Sequence, residues 1–430
     1  MKTITSSYLF NKVFITFLLF AFSLKVFSQQ KNIFLDRQFW KSNPTVIQID
    51  SCIALGNNIE ELNGYKFDPI CWAILEKVDN KTIEYLLSFE GNSVNKITHD
   101  GRTYIFWAAY KNNVQLMNLL IEKGARMDVI DQHGYSLLNF SATTGQLNEE
   151  IYDICIGHGA DVVNDKNNDG ASPLLLISPY LKSLDMMNYF LDRGLSINDV
   201  DNQGNNLFVY AAKSGNKKIM NFLLENNIDP NVNNGSAMLF ACRGTRRAKN
   251  KLGVFSYLDS VGVNCKALNN SNQNVIHLLA SRSKDTSVFN FFLSKNVNIN
   301  ALDSKGNSPF MKAVEYNSKA MLSFLVDKGA NFQCVNEKGN STIHQVIDRN
   351  SVELVDFIIS LGVDVNLINK DGNTALHLAA MKAKDDSILK ILVEKGADKF
   401  IKTAFNETAY DLALENELLI EKELKIDFLK

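Results

Sequence analysis

Three histidines, His277, His344 and His377, each lie inside an apolar run that follows a polar turn, in "NQNVIHLLA", "NSTIHQVI" and "GNTALHLAA". Imidazole titrates near neutral pH and is the commonest metal ligand, so these residues are the first to test for chemistry. His344 and His377 hold the same place in adjacent segments, 33 residues apart. Packed helices lie about 8–10 Å apart, whereas the ligands of one zinc all sit about 2 Å from it. A shared metal is therefore not expected, and each imidazole is expected to bond to its own turn, with Thr342 or Thr374 as partner, because buried polar groups are paired.

Other reactive patterns are sparse. The acidic pairs Glu149-Glu150 and Asp385-Asp386 fall where helices begin, a place the helix dipole already favours for carboxylates. The six cysteines form no C-x-x-C pair and fall mostly among apolar residues, as small buried hydrophobes do; a Cys52–Cys71 bridge is the alternative. Phosphate-loop, H-E-x-x-H, G-x-S-x-G and G-x-G-x-x-G patterns are missing from the sequence. The expectation is a protein that is not an enzyme and uses neither cofactor nor metal. One stretch, "CRGTRRAKNKLG" (242–253), concentrates Arg243, Arg246, Arg247, Lys249 and Lys251. It reads either as a solvated charged loop or as a docking site for an acidic partner.

The elements that position these residues follow from an internal period. Gly306, Gly339 and Gly372 are 33 residues apart, and the same turn is read upstream at Gly101, Gly134, Gly170, Gly204 and Gly235, with Asn272 in the glycine's place. Downstream, Phe405 lies a further 33 residues on. Units close alike, in "LLIEKGARMDVI", "FLVDKGANFQCV" and "ILVEKGADKFI", helix ends with a glycine stop. Between turn and stop, apolar residues recur at three- and four-residue intervals, so each unit is a turn and two short antiparallel helices. Such a pair cannot bury its apolar face alone, and neighbours must stack.

The pattern D/N-x-x-G, then T/S-P/A-L-H-L-A-A, then G-A-D-x-N resembles the ankyrin repeat family over roughly residues 65–425, with the unit at Asn369 nearest to consensus. The resemblance implies an all-α solenoid of stacked helix-turn-helix units with connecting finger turns. It also implies a protein partner, held on the concave face by positions flanking the turn glycine and following the paired alanines. Those positions here are Arg102, Tyr110, Lys111, Tyr135, Asn205, Lys213, Lys305, Glu315, Tyr316, Lys338, Arg349, Lys370, Asp371 and Lys382. Arg102, Tyr110, Tyr135, Tyr316 and Arg349 are the expected anchors, since arginine and aromatics carry most interface energy.

The chain's 430 residues are expected to divide into a signal peptide (1–28), an N-terminal capping unit (29–64), an array of about ten repeats (65–401) and a C-terminal capping repeat (402–430). The apolar run "VFITFLLFAFSL" between Lys12 and Lys25 is too short for the roughly 20 residues of a membrane span and reads as an export signal. Its removal would take away three lysines and lower the net charge from −2 to −5, which argues against nucleic-acid binding. The expected product is an exported, periplasmic or secreted monomer that is not inserted in a membrane. It would act as an interaction scaffold or, alternatively, as an inhibitor or immunity-type protein that neutralises one enzyme.

Overall fold

The computed structural model describes residues 31–246 and 248–430; the expected signal over 1–28 lies outside the described residues. Contacts divide the chain after Asp161 into two units. Among the described residues the structure is helical, with two isolated antiparallel bridges, Val200 to Asn206 and Val335 to Ser341, at the bases of turns. No helix of the described residues is long and apolar enough to cross a membrane.

Unit 1 begins with the helices Arg37–Lys41 and Val46–Ala54, followed by the pairs Pro69–Glu76 with Asn80–Leu86, Tyr104–Tyr110 with Val114–Glu122, and Leu137–Thr143 with Glu149–Gly157. Unit 2 continues the same alternation from Pro173–Ile177 to Glu417–Glu421. Within unit 2 successive first helices from Leu207–Ala212 to Ala409–Leu414 touch one another. The first helix of a pair is therefore sandwiched: in Ala375–Lys382, Ala375, Leu376, His377, Ala379 and Ala380 are all buried. The second helix buries one face only, Ile388, Leu389 and Leu392 in Ser387–Glu394. Each such buried aliphatic side chain contributes roughly 1.5–3 kcal/mol.

The turns obey one rule. The first residue of each finger donates its N–H to the carbonyl four residues on, as in Asp131 to Tyr135 (2.9 Å), Asp303 to Asn307 (2.9 Å) and Asn369 to Asn373 (2.9 Å). That residue is Asp or Asn in most fingers because its side-chain oxygen also accepts two N–H groups of the turn. Asp303 accepts from Lys305 and Asn307 at 2.9 Å each, and Asn369 from Asp371 and Asn373 at 3.1 and 2.9 Å. The fourth residue is left-handed. At Gly339 (φ 74°) an added Cβ would meet the Lys370 nitrogen of the next finger at 2.8 Å, so glycine is required for both conformation and space. Fingers are also strapped tip to tip by backbone bonds, Glu337 to Lys305 and Lys370 to Lys338, each 3.0 Å.

Three departures from the sequence reading follow from the same rule. The left-handed place after Gly372 belongs to Asn406 (φ 67°), not Phe405, because asparagine tolerates that conformation. The turn into the first pair is built without glycine, Lys66 (φ 60°) standing in its place between Asn63 and Phe67. At Gly235 there is no five-residue finger: Asn233, Asn234 and Gly235 are all left-handed and run straight into a helix.

The closing asparagine joins neighbours. Asn366 donates to the Gly396 carbonyl (3.0 Å) and accepts from the Asp398 N–H (2.7 Å), while Asn300 does the same with Gly329 and Asn331 (3.0 and 2.7 Å).

Candidate functional site

The histidines belong to this frame. In each, Nδ1 faces the backbone N–H of the helix N-cap, at Asn274 (3.2 Å), Ser341 (3.2 Å) and Thr374 (3.0 Å); in His344 and His377 Nδ1 is the acceptor, while His277 Nδ1 also lies 2.8 Å from Asn274 Oδ1. Nε2–H then donates to a carbonyl of the following repeat: Asn307 (3.1 Å), Asn373 (3.0 Å) and Ile401 (3.0 Å). Burial pushes all three imidazoles below their ordinary titration range, which keeps them neutral. Thr374 is the partner of His377, but Ser341 takes that role for His344; Thr342 turns away to donate to the Phe332 carbonyl (2.9 Å). Cys52 and Cys71 are free thiols with no bridge between them. Among the described residues, no group of three or more His, Cys, Asp or Glu side chains could hold a metal.

In unit 1, Arg102 is buried and does not face a partner. Its Nε and Nη2 hold Asp131 Oδ2 at 2.8 and 2.7 Å, its Nη1 holds Asp100 at 3.0 Å, and its guanidinium lies over the Phe140 ring at 4.5 Å. Burial works against the Asp100 charge, yet Arg102, His99 and His133 together hold that carboxyl below its usual range. Tyr110 is exposed, and Lys111 and Tyr135 are half-buried.

In unit 2 two further expected contacts, the buried Asn205 and the half-exposed Arg349, bond within the fold. Asn205 is buried, with N and Nδ2 on Asp201 (2.9 Å each) and Oδ1 accepting from Asn233 (3.1 Å). Arg349 donates to the carbonyls of Val314 (2.9 Å) and Asn317 (3.0 Å), closing the helix Pro309–Tyr316. Five others, Lys305, Glu315, Lys338, Asp371 and Lys382, line one cleft of about 600 Å³ between fingers and first helices. Its charges balance locally, Lys312 with Glu315 (3.3 Å) and Lys382 with Asp348 (2.8 Å). Tyr316 and Lys370 are exposed outside it. Lys213 and Asn205 line a second cleft of about 470 Å³.

Sequence reasoning missed two features. Gln345 is buried in the wall of the first cleft, its Oε1 without a hydrogen-bond partner, where the preceding repeat carries Lys312 and the following one Leu378. The residue just before five fingers of unit 2 is aliphatic: Val200, Leu268, Leu302, Val335 and Ile368 are 47–55% exposed, and Leu268 lines the second cleft, whereas Lys166 and Lys402 precede the fingers at Asn167 and Thr403. The signal was an apolar residue immediately ahead of the turn's Asp or Asn, recurring with the period.

The family model for ankyrin repeats in three copies matches residues 70–164, 146–234, 239–336 and 328–403. The chain belongs to the ankyrin repeat family. It is 25% identical over 182 residues to the ankyrin repeat protein nuc-2 of Neurospora crassa, covering 42% of this chain and 16% of that one. A putative ankyrin repeat protein of fowlpox virus, FPV034, is 25% identical over 176 residues, 40% of each chain. The human transient receptor potential cation channel subfamily A member 1 is 31% identical over 93 residues, 21% of this chain and 8% of the channel. The matched region thus spans well under two thirds of each relative. Ankyrin repeats are in general protein–protein interaction modules.

Proposed function

We propose that this protein is a non-enzymatic scaffold that binds a partner protein along the face formed in unit 2 by the finger turns and first helices. The observation that carries the reading is the aliphatic row Val200, Leu268, Leu302, Val335 and Ile368, half exposed at the same position of five fingers. Aliphatic groups repeated in register on a surface mark an interaction site, because water solvates them poorly and the fold gains nothing from their exposure. A partner segment laid across the fingers would meet one such contact per repeat, with the polar clefts beside it supplying specificity. The N-terminal pattern supports export to the periplasm, and the negative charge of the processed chain supports a protein rather than a nucleic acid as the partner.

The test is the triple variant Leu302→Asp, Val335→Asp, Ile368→Asp. Because these side chains are exposed, its unfolding free energy should stay within about 1.5 kcal/mol of wild type, roughly 0.5 kcal/mol per site. In-cell crosslinking followed by mass spectrometry should recover a specific partner with wild type and lose it with the variant. Recovery of the same partner by both proteins would overturn the reading.

A further inference from the structure

The repeat that breaks the period does so twice, and the first break opens a cleft whose lining includes Arg243, the residue at which the second begins. Its finger is missing, so the Gln203 carbonyl, which elsewhere would receive a backbone N–H of the next finger, accepts the Asn233 side chain instead (2.7 Å). The space left free is the 470 Å³ cleft, bordered by residues of the fingers on either side, Gln203 and Asn205 on one and Asn269 and Ser271 on the other. In the same repeat the connection after Arg243 is lengthened by the basic insertion. That insertion is built: Asn250 Nδ2 donates to the carbonyls of Ala212 (3.1 Å), Lys213 (3.0 Å) and Ala241 (3.0 Å), and a turn closes from Thr245 to Ala248 (2.9 Å). Lys249 reaches across to the Arg282 carbonyl.

Two cations meet in the cleft. Lys213 lies over the rings of Tyr210 (5.0 Å) and Phe240 (5.1 Å), and Arg243 stands at the mouth over the same Phe240 ring (5.2 Å). Neither forms an ion pair with a carboxylate of the described residues. Asp201 is fully used by the N–H groups of Gln203 and Asn205, the Asn205 amide and the Tyr210 hydroxyl. Asp169 is exposed at the rim, and Arg282 adds positive charge beside Arg243. Burial, then repulsion from Arg243, lowers the Lys213 pKa to about 8, against the weaker pull of Asp169 and Asp201. Paired cations held in a recess at that cost are compensated when an anion enters.

We infer that this cleft binds the carboxylate of an acidic residue in an extended, aliphatic segment of the partner, with Lys213 and Arg243 as its two donors. The inference rests on the proposed binding face. A monoanion fits better than a phosphate dianion, because Asp169 and Asp201 already supply two negative charges nearby and would repel the second. The aliphatic neighbours of the acid would lie on Leu268, in the cleft wall, and on Leu302 at the next position of the row.

The probe is a fluorescent, amidated peptide of alternating glutamate and leucine, titrated against the full chain by anisotropy, alongside its glutamine and phosphoserine counterparts. The glutamate peptide should bind roughly tenfold or more tightly than the glutamine one, and Lys213→Gln or Arg243→Gln should each erase that margin. Lys213→Arg, which keeps the charge, should retain it and so excludes a folding defect. Bound glutamate peptide should also slow acetylation of Lys213, read by mass spectrometry, and move its midpoint upward from about 8. Equal binding of the glutamate and glutamine peptides would overturn the site. Tighter binding of the phosphoserine peptide would overturn the carboxylate assignment. If the cleft fails while the triple row variant still loses its crosslinked partner, the proposed function stands without this site.

Discussion

Replacing His344 by alanine tests whether these imidazoles are structural pins. The side chain is buried, Nδ1 accepts from the Ser341 N–H and hydroxyl (3.2 and 2.8 Å), and Nε2–H donates to the Asn373 carbonyl in the next finger (3.0 Å). His344→Ala leaves the N-cap N–H and that carbonyl unpaired; at about 1–1.5 kcal/mol for each, the loss is about 2–3 kcal/mol. His344→Gln should lose about half as much, because glutamine at this position completes a capping box with Ser341 but cannot reach Asn373. The pH dependence has a fixed sign. Burial lowers the folded-state pKa, so the unfolded chain binds more protons just below pH 6.5. The stability that neutral His344 contributes is fully present above about pH 6.5 and is lost as pH falls toward the lowered folded value, by at most about 1.4 kcal/mol per pH unit. Carboxylates titrate roughly two units lower and do not confuse the window. Urea unfolding followed by circular dichroism between pH 5 and 8 should show a shallower slope in both variants than in wild type. An unchanged slope, or an alanine variant within about 1 kcal/mol of wild type at pH 8, would refute the reasoning.

Gly339→Ala forces a Cβ against the Lys370 nitrogen at left-handed φ, and should cost roughly 1–3 kcal/mol, with hydrogen exchange accelerated in the fingers at 336–340 and 369–373 first. Arg102→Leu strands the buried Asp131 carboxylate, so about 3 kcal/mol should be lost from unit 1 in calorimetry, whereas Arg126→Leu, whose ion pair with Asp128 is exposed, should be silent. Asn366→Ala removes both bonds to the next repeat and should cost about 2 kcal/mol, read by urea unfolding.

What could be read from the chain alone depended on whether the cause was local. The fingers were legible because their chemistry sits within five residues: an Asx oxygen that closes the turn, then a residue that can hold positive φ. The paired helices were legible because burial of one face sets their period. The errors arose wherever the decisive partner lies a repeat away. Arg102 and Arg349 have the composition of interface anchors, but Asp131 stands 29 residues from the first and the Val314 carbonyl 35 from the second; the Arg102 guanidinium is buried there, and the half-exposed Arg349 commits its Nη1. Asn205 is only partly of this kind: Asp201, four residues back, takes two of its bonds, and Asn233, 28 residues on, the third.

The converse case is more informative. Within its own repeat Lys213 is an ordinary lysine after paired alanines. It becomes distinctive only because the following repeat lacks a finger and carries Arg243 opposite. In a periodic chain a site therefore need not announce itself by a motif; it can be made by an omission whose effect falls on a neighbour. The sequence signal is then the irregular steps of 31 and 37 residues on either side of Gly235, coinciding with the basic insertion. There the missing finger leaves the cleft in which Lys213 and Arg243 face the same Phe240 ring, neither held in an ion pair.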